Sequence, residues 1–463
     1  MKKMIVALAW FVCAGCALTH PTDPYAPAGL STPFSAANEP GASMVSLPEE
    51  PLTLDQAVAI GLAGNPEIAA LKWDQTAAAA RRDQAFAQRL PRLGAEGRFT
   101  HHSDEQRIAP VREPGTPSIL TRDIASADLV LSVPLFTAGR LINQAKAADL
   151  LRAAAAQKFS SSRKTLVFNI SSLFYNMLAQ EQVIESMKFS EQTLAAHLNR
   201  MDAMVRAEKA AKVDRMRTEV RLADVRQQLV QEKTRLAVYR RTLANLLGIP
   251  DHAYMLQIQG DLELPEKLDM PTFEAAFAKA QKKRDDYQAE RAALEAKAMQ
   301  VDAARAGHWP MVSLLGTYGE RWAAGATSGT GDESNDEGRI GVAVEMPIFD
   351  GGQISAAIRE QRAELTAAQK RLHAFELDIR LEIETALTDI ASFRERAAAL
   401  EKSIAQARES LRIEHQKYEL GKGMIVDVLD AQNALLDAET TYHQAAAGLR
   451  TALARLKLAT GEI

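Results

Sequence analysis

The chain is written twice. Pro91 recurs as Pro310 and Leu54 aligns with Phe273, about 219 residues on, whereas Pro134 recurs as Pro347, Asp214 as Asp427 and Gly248 as Gly461, about 213 residues on. The separation changes by about six only between Pro91 and Pro134, so one connection in the second copy is shorter and the rest stays in register. Length differences of that kind are absorbed in exposed loops. The period is far longer than the roughly 20 to 50 residues of solenoid repeats, so each copy is a structural unit of its own.

Within each copy the hydrophobic period changes at a proline. Residues 53 to 88 and 272 to 306 read as helices, entered at Thr53 and Thr272 as N-caps. After Pro91, Leu93, Ala95, Gly97 and Phe99 alternate with Arg92, Glu96, Arg98 and Thr100. After Pro310, Val312, Leu314, Gly316 and Tyr318 alternate with Ser313, Thr317 and Arg321. The return segments carry Leu129, Leu131 and Val133 before Pro134, and Ile340, Val342, Val344 and Met346 against Arg339, Glu345 and small residues before Pro347. A period of two with one apolar face predicts two β-hairpins of strands about ten residues long. Leu131 and Val342 fall on the apolar face, Arg98 and Glu345 on the polar one. Between the strands, 101–126 and 323–338 read as polar loops, and the adjacent His101 and His102 lack a third ligand at metal-binding spacing.

After Pro134 the next proline is Pro250, and none follows Pro347. Only helix runs that far without proline once its apolar residues recur at three and four. Val167, Ile170, Phe174, Met177, Ile184, Leu194, Leu198, Met201 and Val205 do so, as do Leu372, Phe375, Ile379, Leu387, Ile390, Leu400, Ile404 and Leu411. Breaks fall near Glu208 to Lys212 and at Gly421 to Gly423. A helix over 138–205 spans about 100 Å at 1.5 Å per residue, while the returns, 212–247 and 424–459, cover half of that. The expected layout therefore stacks 212–247 on 272–306 and 424–459 on 53–88, with the 251–271 connection as a belt at mid-height.

No stretch after residue 16 has the 18 apolar residues of a membrane-spanning helix, so any crossing must be by strands. Four amphipathic strands cannot close on themselves, and each backbone group left unpaired in lipid costs several kcal/mol. Two chains would give eight strands with an interior filled by side chains, whereas three give twelve and begin to leave a lumen. Trp309 and Trp322 bracket the third strand, as aromatic belts bracket a bilayer.

The N-terminus reads as an export signal. Lys2 and Lys3 precede the apolar run Met4 to Val12 and the small residues Ala14 and Gly15, giving a signal over 1–15. Cys13-Ala14-Gly15-Cys16 resembles a bacterial lipobox, which makes Cys16 the acylation site. Ala17 follows where an inner-membrane retention Asp would stand, implying outer-membrane sorting. Residues 16–51, rich in Pro, Ser, Thr and Ala, read as a lipid-anchored extended tail. A net charge of -4 provides no footprint for nucleic acid. No nucleophile elbow, phosphate-binding glycine loop or zinc-ligand cluster occurs, so neither an enzyme nor a cofactor is expected.

The double repeat of helix, β-hairpin and long helical hairpin over 52–250 and 272–463, with Tyr418-Glu419-Leu420-Gly421-Lys422-Gly423-Met424-Ile425-Val426-Asp427-Val428-Leu429-Asp430-Ala431-Gln432, resembles the TolC family of outer membrane efflux proteins. The resemblance implies a mainly α chain with a transmembrane β-barrel. Its trimer has four strands per chain in a 12-stranded barrel on a long α-helical periplasmic tunnel, and works with a periplasmic adaptor and an inner-membrane transporter. It further implies that Asp427 and Asp430 ring the periplasmic entrance and that Tyr418 and Asp214 latch it shut. As ordinary helix residues, Asp427 and Asp430 would be solvated N-terminal acids favoured by the macrodipole. Gly423 stands where some relatives carry a latch arginine, and the first-copy turn lacks the glycine found at Gly421. The competing readings are a periplasmic coiled-coil spacer and an adaptor protein. The first leaves the alternating strands unexplained, and the second carries one hairpin between β-rich halves rather than two in tandem.

Four strands per chain should insert without help from lipid, so Cys16→Ala is expected to lose palmitate labelling while retaining assembled protein in the outer membrane. Equal labelling of the variant would remove Cys16 as the site.

Overall fold

Each copy folds as a kinked helix, a β-hairpin, a 67-residue helix and a 36-residue return. The first copy comprises α1 (Leu54–Gly64), α2 (Pro66–Ala87), β1 (Arg92–Arg107), β2 (Leu120–Phe136), α3 (Arg140–Arg206) and α4 (Lys212–Leu247). The second comprises α5 (Phe273–Lys283), α6 (Asp285–Arg305), β3 (Met311–Ala323), β4 (Ser334–Glu345), α7 (Gln353–Glu419) and α8 (Ile425–Thr460). The computed structural model describes residues 50–107, 120–208, 210–249, 256–264, 270–323 and 334–463. The predicted signal and Cys16 lie outside them, as do most of the predicted tail, parts of both inter-strand loops and parts of the 251–271 connection. Leu52–Ile463 form one unit.

The entry helices begin where the sequence predicts. Thr53 and Gln56 form a capping box, and the Ala275 N–H donates to Thr272 Oγ1 at 3.3 Å. Neither helix runs straight through. Asn65 and Arg284, at matching points of the two copies, are extended, with ψ of 121° and 113°. In the first copy the cause is local. Pro66 disfavours helix at the residue before it, and Asn65 Oδ1 accepts from the Glu67 and Ile68 N–H groups, opening a new helix. The second copy has no proline there. Its Arg284 is buried, hydrogen-bonded to Asp286 and Glu382, and lies over the Phe375 ring.

These kinks overturn the expected stacking. Each return helix ends on the kink of its own copy, not on the entry helix of the other. A Cβ on Gly248 would lie 2.2 Å from the Gly64 carbonyl oxygen, and one on Gly461 2.6 Å from that of Lys283. Asn65 Nδ2 also donates to the Leu246 carbonyl at 2.9 Å. Both glycines hold φ of +77° as helix C-caps. Periodicity indicates that a helix end needs a neighbour, but the neighbour is chosen by backbone approach that only glycine allows.

The helices form a layer. α3 packs against α2 and α4 on one side and against α6 and α8 on the other, and α7 lies beyond α6 and α8. Being central, α3 buries residues from Ala147 to Met201, including Ile170, Phe174, Met177 and Leu194. Lateral α7 buries only Ile358, Ile379, Ile383, Ala386, Ile390 and Ala397 along its whole length. Ala276, Ala280, Ala386, Ala452 and Ala459 line the mid-height core of the second copy beside Ile379, Ile383 and Leu456. Such small side chains let the helix axes approach closely. The described part of the connection lies at mid-height: Leu52 bridges Ile258, and Gly260 sits against Phe174 and Leu178.

The strands form one antiparallel sheet in the order β1-β2-β3-β4. They have 16, 17, 13 and 12 residues, longer than expected. β2 continues past Pro134 to Phe136 with a register shift at that proline, a bulge that absorbs the missing N–H.

Gly248→Ala should cost about 1 to 2 kcal/mol for its left-handed backbone and about 1 to 3 more for displacing the Gly64 backbone. Gly421→Ala, at φ of +70° with nothing within 4 Å, should cost the first part alone. Urea unfolding followed by helical circular dichroism measures both, and equal losses would dismiss the backbone contact.

Candidate functional site

Two regions carry the functional candidates, the sheet and the far end of the long helices. In the sheet, register decides which residues share a face. Leu93, Leu131, Gly316 and Ile340 are directly opposed across the four strands, and Val133, Leu314 and Val342 extend the same face. The alternate residues include Arg98, Ser126, Arg321 and Asn335 in one row and Glu96, Asp128, Gly319 and Glu337 in the next. Arg321 pairs with Glu337 on that face at 3.1 Å. Leu131 and Val342 thus lie on the apolar face and Arg98 and Glu345 on the charged one, as the alternation predicts. Phe99, Tyr318, Ile340, Val342 and Val344 are all more than half exposed in the single chain. A sheet this apolar on one side is built to face hydrocarbon. His101 pairs with Asp123 across the hairpin at 2.6 Å. Among the described residues no group of three or more His, Cys, Asp or Glu is placed to hold a metal.

At the far end, the turn from α3 to α4 lies beside the turn from α7 to α8. Both need a left-handed residue. Gly421 supplies φ of +70°, and Glu208 adopts +58° at the matching position of the first copy, so the position without glycine is left-handed too, against about 1 to 2 kcal/mol of strain. Asp427 sits at the third position of α8 and accepts the Met424 N–H at 3.3 Å. There the helix dipole favours its charge. Asp430, almost one turn further, is exposed.

The predicted latch residues are neighbours without a hydrogen bond to each other in the chain. The Tyr418 hydroxyl donates to Met201 Sδ at 3.0 Å, and Asp214 pairs with Arg217 at 3.7 Å. Burial, and then the Asp214 charge, raise the phenol's pKa above its ordinary value. The Asp214 carboxylate is therefore close enough to act on Tyr418 electrostatically.

Sequence reasoning missed the contacts that join the two hairpins here. Arg200 reaches Glu419 at 3.0 Å, the His197 and His415 rings lie 5.0 Å apart, and buried Gln432 donates to the Ser190 carbonyl and hydroxyl oxygens at 3.3 Å. Two of them had a signal. His197 occupies a core position between Leu194 and Met201, and Gln432 one between Leu429 and Leu436. A polar residue at an apolar position needs a partner.

An amphipathic four-stranded sheet carried on helices about 100 Å long defines a membrane channel protein that crosses the bilayer by strands and extends a helical stalk from it. The chain belongs to the outer membrane efflux protein family, whose model matches residues 59–249 and 277–462, one stretch in each copy. It is 20% identical to the outer membrane protein TolC of Escherichia coli over 81% of this chain and 75% of that protein. It is 23% identical to the cobalt-zinc-cadmium resistance protein CzcC of Cupriavidus metallidurans over 90% of this chain and 94% of that one. Among solved structures, the outer membrane protein VceC of Vibrio cholerae superposes with a TM-score of 0.75 at 20% identity, covering 88% of this chain and 96% of that one. The CmeC outer membrane channel of Campylobacter jejuni superposes with a TM-score of 0.77 at 16% identity, covering 88% and 85%. The fold is that of the TolC-like channels, an outer-membrane β-barrel on a helical tunnel, and the protein is an efflux channel of the outer membrane rather than an enzyme. The spacer and adaptor readings fall with that assignment.

Proposed function

We propose that three copies of the chain close into one channel that passes substrates from a periplasmic adaptor and an inner-membrane transporter to the exterior. The observation that carries this reading is that sheet and helical layer are open at the same two sides. Among the described residues β1 and β4 have unpaired outer edges, and α4 and α7 are the lateral helices below them. The α4 side exposes Val213, Met216, Val220, Val230 and Val238, and the α7 side exposes Leu377, Leu381 and Ile413. Joining the first side of one copy to the second side of the next pairs the strands and covers the valines in a single step. Three copies make twelve strands, the smallest symmetric set that leaves a lumen. The family's place in tripartite efflux and secretion systems supports the adaptor and transporter partners.

The charged face of the sheet then lines the lumen and the apolar face meets lipid. Arginine at Leu131 or Val342 is expected to cost about 2 to 4 kcal/mol at mid-bilayer and to reduce heat-modifiable trimer in outer membranes. Neutral substitutions at Arg98 and Glu345 should leave assembly unchanged. The reverse pattern would exchange the two faces.

At the far end, three copies of Asp427 and Asp430 converge as an acidic ring at the periplasmic entrance, with Tyr418 and Asp214 latching neighbouring hairpins. Replacing both aspartates with alanine should lower cation selectivity and relieve block by a trivalent cation in planar bilayers, as expected of an acidic ring. Tyr418→Phe should instead raise conductance with selectivity kept. Unaltered selectivity in the double variant would return the aspartates to a purely helix-capping role.

A further inference from the structure

We propose that His197 and His415 form an acid-operated catch between the two helical hairpins, so that lowering the pH releases the far ends of α3 and α7 from each other and favours the open entrance. The proposal rests on the channel reading above for its consequence, and on the following geometry for its existence. His197 is 5% exposed, and its Nδ1 is buried without a hydrogen-bond partner. His415, from the other hairpin, lies with its ring centroid 5.0 Å away and tilted by 59°. Its Nδ1 is 3.6 Å from Glu419 Oε1. The two rings line a groove that opens to water, with Phe189, Thr193, Leu411 and Leu435 on its walls. One turn away are the Arg200–Glu419 and Met201–Tyr418 contacts that hold the same two helices together.

The surrounding charges give His197 little with which to balance a proton. Glu419 is the carboxylate beside the pair, and Arg200 of α3 already engages it at 3.0 Å. On α7, Arg412 is paired with Glu409, and Arg408 with Glu439 of α8. On α4, Arg226 is taken by Glu191 of α3 and Arg215 by Asp202 of α3. Glu185 lines the groove from α3, 3.4 Å from Lys188. Burial lowers the His197 pKa, and His415 and Arg200 add to the lowering, while Glu419 opposes it. The sign follows from linkage. A base whose pKa is depressed in the closed contact stabilises that contact while neutral. The contribution is complete above the ordinary imidazole value of about 6.5 and is lost as pH falls through and below it. A protonated His197 is best accommodated when the helices part and the ring reaches water, which shifts the population towards the open hairpins.

The test uses the full-length assembled protein in lipid nanodiscs and, in parallel, in planar bilayers. Hydrogen exchange of segments 190–201 and 411–420, corrected for the intrinsic pH dependence, should rise by about tenfold between pH 7.5 and 5.5. Channel opening should rise over the same window. His197→Gln should flatten the exchange profile, and His415→Gln, at a partly exposed position, should weaken its pH dependence. A wild-type profile retained in both variants would overturn the catch and assign acid opening to the carboxylates. Fast exchange at every pH in His197→Gln, with His415→Gln like wild type, would also overturn it, leaving His197 a packing residue. If no conductance appeared at any pH while exchange kept its histidine-dependent profile, the catch would stand and the channel reading would fail.

Discussion

A β-sheet with open edges cannot rest in hydrocarbon, and the architecture of this chain follows from that. The outer edges of β1 and β4 each present a row of N–H and C=O groups without strand partners among the described residues, and lipid supplies none. In the channel we propose, the remedy comes from further copies of the chain. The helical layer obeys the same geometry because each strand pair is continuous with its helices, so an open sheet edge stands above an open helix edge. The valines exposed along α4 and the leucines exposed on α7 are the water-side counterpart of the unpaired backbone in the membrane. In the proposed trimer, one rotation of the chain answers both demands.

Below the sheet the problem is length. A helix of 67 residues returns along a helix of 36, so half of its flank would be bare without the entry helix of the same copy. The junction is made by backbone on backbone, Gly248 on Gly64 and Gly461 on Lys283. Each entry helix bends at that point, and the two copies reach the same bend by different chemistry. One uses an Asn-Pro step, which redirects the chain locally. The other uses a buried arginine held by Asp286 and Glu382. The duplicated fold preserves the geometry of the joint more strictly than the residues that make it.

At the far end, polar contacts are added to an apolar core that still buries Leu194, Met201, Ile425 and Val428. Arg200 with Glu419 is half exposed, and such pairs contribute about 1 kcal/mol or less. Gln432 on Ser190 is buried, where loss of a partner leaves an unsatisfied group at about 1 to 3 kcal/mol. Polar contacts of this size can be exchanged at little cost, so the apolar contacts around Met201 carry much of the joint's resistance to opening. Tyr418 fits this pattern, since its hydroxyl rests on a thioether, a weak acceptor, with Asp214 close at hand.

The sequence by itself determined the duplication, the switch from period two to period three-four at each proline, the two faces of the sheet and the ends of the long helices. The predicted 138–205 and 212–247 lie within two residues of the observed bounds. These features were legible because each reflects how a residue meets its own local surroundings, apolar or polar, helix or strand. The acidic residues near the final turn were singled out only by resemblance to a family motif, and their role at the entrance stands as a proposal. Which half-helices stack, where the entry helices bend, that Tyr418 meets Met201 and that His197 meets His415 were decided by the tertiary structure. Those pairings join residues from about 180 to more than 215 positions apart in the chain. Periodicity states that a surface must be covered, whereas the covering partner is selected by the approach of whole helices, which depends on glycines, kinks and buried polar groups acting together.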